Sequence, residues 1–234
     1  TPLVSIRHSI NTNDEFYDNE NEYCDEISPI IFSFVTDFYK ALINSKFRKE
    51  LEEKYGKFLF DIAELSLKTF DEKIINDLQN ENKLSSKYSK LIASAKIPFD
   101  GEDRNLSQMT PYTQSKDRNV RIEASKKVAH FFKENKEKFD DIYDSLVKLR
   151  NNIAQKLGFK NYVELGYARL LRIDYNSEMV SSYREQVLKY IVPLHTELRK
   201  RQEKRLGLDK LSFYDEPIKF NSGNADPHGD PDWI

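Results

Sequence analysis

Apolar residues recur along this chain at steps of three and four over most of its length, which predicts long amphipathic helices. The clearest stretch is a helical run from Ser115 to Leu157, where Ile142, Leu146, Leu149, Ile153 and Leu157 share one face. Gly158 follows at once, suited to a left-handed cap, and Asn161 can cap the next helix with its side-chain oxygen. Upstream, Ser28-Pro29 reads as a helix start, because proline fits a first turn. Ile27, Ile31, Phe34, Phe38 and Leu42 then mark a face. Ser45 can cap a further helix, and Leu51, Tyr55, Phe58, Ile62, Leu65 and Phe70 carry the pattern through Gly56. Lys83 to Ala95 continues it.

The period changes once. Ile97 and Phe99 alternate with Lys96 and Pro98, and Asp100-Gly101 is a hairpin signal. A short hairpin is expected before Leu106, with helix resuming at Ser107 or at Thr110-Pro111. Asp117 suits the positive end of a helix. The fragment D-R-x-V-R-x-x-A at Asp117–Ala124 also occurs in helical repeats, but it appears once, so an ordinary helix start is the reading taken. From Asn176 to Leu206 a last long helix carries Met179, Tyr183, Val187, Tyr190, Ile191, Leu194 and Leu198, kinked by Pro193. The fold class expected is mainly α, a multi-helix array with one short β-hairpin. Three regions are expected: 1–95, a helical subdomain; 96–114, hairpin and connector; 115–234, a second helical region.

Composition narrows this. Seven Gly and eight Pro in 234 residues are too few for an all-β fold, and 28 Phe and Tyr supply a core. The net charge of −2 lacks the basic surplus that phosphate binding wants, so nucleic acid is excluded as main partner. The KRQEKR run at Lys200–Arg205 suits a helix C-terminus. No apolar stretch approaches the ~20 residues of a membrane span, and no signal segment opens the chain. One cysteine, Cys24, precludes an internal disulfide and suits a reducing cytoplasm.

The residues present offer little chemistry. His8, His130, His195 and His228 are not at metal-ligand spacing, and H-E-x-x-H is absent. His130 reads as a helix-surface histidine. His228 between Asp226 and Asp230 is at most a weak metal site. Cys24 has no histidine to activate it, and no phosphate-cradling glycine loop exists.

The strings FRKELEEKYGKFLF, LIASAKIPFDGEDRNLSQMTPYTQSKDRNVR, AQKLGFKNYVELGYARLLRIDYNSEMV and FYDEPIKFNSGNADPHGDPDWI resemble the bacterial oligoendopeptidase F proteins, thimet-oligopeptidase-like zinc metallopeptidases. The likeness runs in register from Arg7 to Ile234. It implies the N-terminal, channel-forming half of an elongated helical shell and cytoplasmic cleavage of short peptides. It also implies a catalytic domain in which H-E-x-x-H and a later glutamate hold zinc. None of those residues occurs in this chain, so no catalytic residue or metal ligand is carried over, and the chain alone is expected to be inactive. Its partners would be peptide substrates, its own catalytic domain and, through uncovered apolar residues such as Phe220 and Trp233, a second copy. Tyr167, Arg169, Arg172 and Tyr175 are the candidate substrate-binding residues; packing between helices is their plainer role. A non-catalytic helical interaction module is the rival reading.

Overall fold

A computed structural model describes residues 2–224. The expected helical array and hairpin are both present. Helix α1 (Pro2–Ile10) is followed by α2 (Glu15–Ile43), α3 (Arg48–Tyr55), α4 (Lys57–Lys68) and α5 (Ile75–Ala93). Strands β1 (Ile97–Phe99) and β2 (Glu102–Arg104) pair antiparallel, Ile97 opposite Arg104. Then come α6 (Thr110–Thr113), α7 (Arg118–Glu134), α8 (Lys136–Lys156), α9 (Tyr162–Arg169), α10 (Ser177–Gln186) and α11 (Val192–Leu206). The chain forms two compact units, each drawn from two segments: residues 1–91 with 137–180, and 92–136 with 181–234.

In the first unit Ile74, Ile153, Ala154 and Leu165 are fully buried, with Leu78, Leu149, Leu157, Phe159 and Tyr162 around them. The face read from Ile153 and Leu157 therefore builds this core. Asn161 caps α9, accepting from the Val163 N–H at 2.9 Å. The end of α8 is a Schellman motif: Phe159 N–H reaches Ala154 C=O and Gly158 N–H reaches Gln155 C=O, with Gly158 at φ 86°. No atom would meet an added Cβ there. Gly158→Ala should therefore lower stability by about 1–2 kcal/mol through backbone strain alone, read from urea midpoints; an unchanged midpoint would refute this.

Four local expectations are corrected. Pro29 does not start a helix; it lies buried inside α2. A proline there leaves the Asp25 carbonyl without its helical donor. Asn82 on α5 supplies one at 2.9 Å, and Gln79 reaches the Glu26 carbonyl at 2.7 Å. Gly56, at φ 87° and ψ 151°, divides α3 from α4 where the apolar pattern reads as continuous. The 115–157 run is two helices parted at Asn135, whose side chain takes the Phe131 carbonyl at 3.0 Å. The last long helix is interrupted before Pro193, by a π-helical turn at Val187–Ile191 that leads into α11.

The second unit buries Ile97, Met109, Ala124, Phe131 and Ile218. Asp100 and Gly101, both at positive φ, form the two-residue hairpin turn. Asp117 caps α7 by accepting from the Asn119 N–H at 2.8 Å. The paired arginines that follow meet Asp215, a fully buried carboxylate in the short turn after α11. Arg118 donates to both its oxygens at 2.9 and 2.8 Å, and Arg121 adds a third contact at 2.9 Å. Burial alone would raise the Asp215 pKa, but these donors and the Ser212 N–H outweigh it and lower it to about 2. The D-R-x-V-R spacing thus puts two guanidiniums, one turn apart, onto one anion.

The apolar face of α2 is largely uncovered: Ile31, Phe34 and Phe38 are all exposed, as are Met179, Tyr183, Leu194 and Leu198 further on. Phe220 is half exposed beneath the Arg205 guanidinium, 4.6 Å from its ring. Trp233, His228, Asp226 and Asp230 lie outside the described residues. Among those described, no helix is long and apolar enough to cross a membrane.

Candidate functional site

The four candidate residues fall at the end of α9, in the first unit, and the fold divides them. Arg169 turns onto Glu81 of α5. Its two terminal nitrogens lie 3.2 and 2.9 Å from the carboxylate, and Arg150 of α8 donates to the same group at 2.6 Å. Glu81 is only 6% exposed. Burial pushes its pKa up, but the hydrogen bonds from Arg169 and Arg150 prevail and hold it below the ordinary value. Burial in turn works against the Arg169 cation, and the bonds to Glu81 outweigh it. Arg169 is thereby committed to tying α9 and α8 to α5.

Arg172 is placed differently. Its guanidinium lies over the Tyr167 ring at 4.5 Å and the Tyr175 ring at 5.5 Å, and the two rings meet edge to face at 6.4 Å. Among the described residues it makes no ion pair. The backbone brings it there through a second Schellman motif: Leu171 N–H bonds Ala168 C=O and Arg172 N–H bonds Tyr167 C=O. The left-handed residue of this motif is Leu171, at φ 53°. Glycine fills that place after α8; a leucine there carries backbone strain of order 1–2 kcal/mol.

Beside this turn runs a cleft of about 450 Å³. Pro29, Phe32 and Tyr39 of α2, Ile62 of α4, Phe70 and Leu171 give it apolar walls, and Arg169 with Asn82 adds polar edges. The α2 helix can present Pro29 to this cleft because Asn82 satisfies the Asp25 carbonyl that the proline strands, and Gln79 adds a bond to the neighbouring Glu26 carbonyl. Glu81, Asn82 and Gln79 are the residues sequence reasoning missed; they fall in a polar stretch of α5 and carry no spacing signal.

No group of three His, Cys, Asp or Glu among the described residues is placed to hold a metal ion. His8 is buried against Asp18 at 3.1 Å, and Asp18 also takes Lys90. His130 is on the surface of α7, 3.0 Å from Glu134, and His195 is exposed on α11.

Two peptidase family patterns match the chain. The Peptidase M3 N-terminal domain covers residues 1–70, and Peptidase family M3 covers residues 111–221. The class is therefore that of peptidases, and the chain belongs to peptidase family M3. Within that family it is similar to oligoendopeptidase F proteins. A crystal structure from Bacillus anthracis str. Ames, assigned as an oligoendopeptidase F, shares 56% identity at a TM-score of 0.94. An X-ray structure with the same assignment shares 53% at 0.96, and PZ peptidase A with an inhibitor shares 55% at 0.95. Each alignment covers 99% of this chain but only 43%, 41% and 41% of those chains, so this chain spans about two fifths of their length. No curated protein matches it.

Proposed function

We propose that this chain is the N-terminal, substrate-channel-forming part of a cytoplasmic zinc metalloendopeptidase that hydrolyses short peptides. The observation that carries the reading is likeness at 53–56% identity over nearly the whole chain to oligoendopeptidase F structures more than twice as long. The described residues do not fit a zinc site, so no catalytic step is assigned to them. Zinc and the water-activating base would belong to a catalytic domain of the kind H-E-x-x-H defines, and that domain would be this chain's partner. The role left to these helices is steric admission and grip of the peptide. Tyr167, Arg169, Arg172 and Tyr175 would line its path, with Arg169 acting through Glu81 as a positioning residue.

Turnover of an internally quenched peptide tests this. A protein as long as the relatives should cleave it, stop on chelation and recover with zinc. The 234-residue chain alone should neither cleave it nor bind zinc at sub-micromolar concentration. Metal-dependent turnover by the short chain, or none by the long one, would overturn the reading. The exposed apolar faces of α2 and α11 support a further proposal, that the isolated chain associates with itself. Sedimentation at several concentrations should show a mass rising with concentration; a monomer at all of them would refute it.

A further inference from the structure

Arginine pairing in this protein has one exception. Among the described residues, every other buried or half-buried arginine meets a carboxylate. Arg118 and Arg121 share Asp215, Arg150 and Arg169 share Glu81, and Arg48, Arg104 and Arg199 each have acids of their own. Arg172 is half-buried too, and it has two aromatic rings where the others have an anion. We infer that Arg172, held against Tyr167 and Tyr175, is a binding site for a carboxylate of a peptide ligand, either its C-terminus or an acidic side chain. This deepens the peptidase reading, and rests on it, by naming the group of the ligand that is gripped.

Access is the first support. Among the described residues the side-chain nitrogens of Arg172 make no hydrogen bond. Nε of Arg199 is the only sealed side-chain nitrogen or oxygen of a buried or half-buried residue there without a partner. The Arg172 nitrogens are therefore unpaired and open to solvent, and so to a ligand. The rings at 4.5 and 5.5 Å offset the charge only in part. They leave the N–H fork free, and that fork is what a planar carboxylate meets in bidentate fashion.

Preorganisation is the second. The Arg172 backbone N–H donates to the Tyr167 carbonyl at 3.1 Å, so the residue is tied at the main chain to the same tyrosine that its guanidinium covers. The Tyr175 ring meets the Tyr167 ring edge to face at 6.4 Å and gives the cation its second contact. A guanidinium already held in this way loses less freedom when an anion arrives. The turn that makes the main-chain tie passes through Leu171 at φ 53°, a conformation that glycine adopts at no cost and leucine does not. Strain of this kind persists where the surroundings fix it, and it gathers at ligand clamps.

The test follows the Arg172 Nε–H signal by nuclear magnetic resonance in the 234-residue chain, identified by its loss in Arg172→Gln. The probes are N-acetyl-dialanine, its C-terminal amide, and N-acetyl-aspartyl-alanine amide. One of the two acids at least should bind about three- to ten-fold tighter than the neutral amide, between an exposed ion pair and a buried charged hydrogen bond. Preference for the first acid assigns the C-terminus as the group held, and preference for the second assigns an acidic side chain. Arg172→Gln should abolish the preference. Arg172→Lys, which keeps the charge and loses the fork, should reduce it and serves if the glutamine variant does not fold. Tyr167→Leu with Tyr175→Leu keeps the cation and removes the rings, and should weaken the favoured acid several-fold. Equal binding of acids and amide, no saturable shift at millimolar concentration, or a preference that survives Arg172→Gln would each overturn the inference. So would an Arg172 signal that no acid moves in a protein as long as the relatives, since the carboxylate it meets would then be the protein's own. Turnover by that longer protein with no acid preference sinks only this site; an acid preference without turnover leaves a carboxylate site on a protein that is no peptidase.

Discussion

Glu81→Ala should cost about 2–4 kcal/mol of unfolding free energy, because it takes from two partly buried guanidiniums the buried carboxylate that both of them bond. At this chain length that is a fall in melting temperature of roughly 10 °C. Glu81 takes Arg150 from α8 and Arg169 from α9, so the loss would fall on the three helices that meet at the first unit's core. A triple variant, Glu81→Leu with Arg150→Met and Arg169→Met, should regain most of the stability, since an apolar replacement of the whole cluster removes the desolvation cost as well. Calorimetric melting of both variants decides this. A single variant costing under about 1 kcal/mol, or a triple variant as weak as the single, would show that the charges are not what holds these helices.

Asp215→Asn should be comparably damaging in the second unit, about 3–5 kcal/mol, since Arg118 and Arg121 both lose their buried partner. It should also change how the protein answers acid. The folded pKa of Asp215 is about 2 against 3.8 for an unperturbed aspartate. A depressed folded pKa gives stability that is complete well above the unfolded value and is lost as pH falls towards the folded one. Between about pH 5 and pH 2 the native protein should therefore lose stability that the asparagine variant no longer has to lose, and their two urea-midpoint curves should converge. Parallel curves down to about pH 2 would mean that Asp215 does not titrate as its surroundings require.

What could be read from the chain was local chemistry. Gly158, Asn161, Asp117 and the Asp100-Gly101 turn act through backbone groups within a few residues, so each is visible in a short string. Pro29 reads as a helix start because the donor that replaces its missing N–H comes from Asn82, more than fifty residues later in the chain. Gly56 was read through because apolar spacing either side of it stays in step while the backbone does not. The candidate site was half legible. The string around Tyr167 and Arg172 stood out, but nothing adjacent to Arg169 tells it from Arg172. The difference is Glu81, 88 residues earlier, in a polar stretch without periodicity of its own. Arg118 and Arg121 carried a signal, two like charges on one helix face, which asks for a distant anion without saying where it lies.

Each compact unit is assembled from two separated stretches of chain, and this sets an order of events at the ribosome. Glu81 emerges 88 residues before Arg169, and Arg118 emerges 97 residues before Asp215. At ordinary elongation rates those intervals are roughly 4–20 s, far longer than a helix needs to form. The two spans overlap, so while the nascent chain waits for Arg169 it already carries Arg118 without Asp215. Neither unit can complete its ion cluster before the other has begun, and for those seconds both hold amphipathic helices whose partners have not been made. That interval is where a trigger chaperone would have its largest effect on yield.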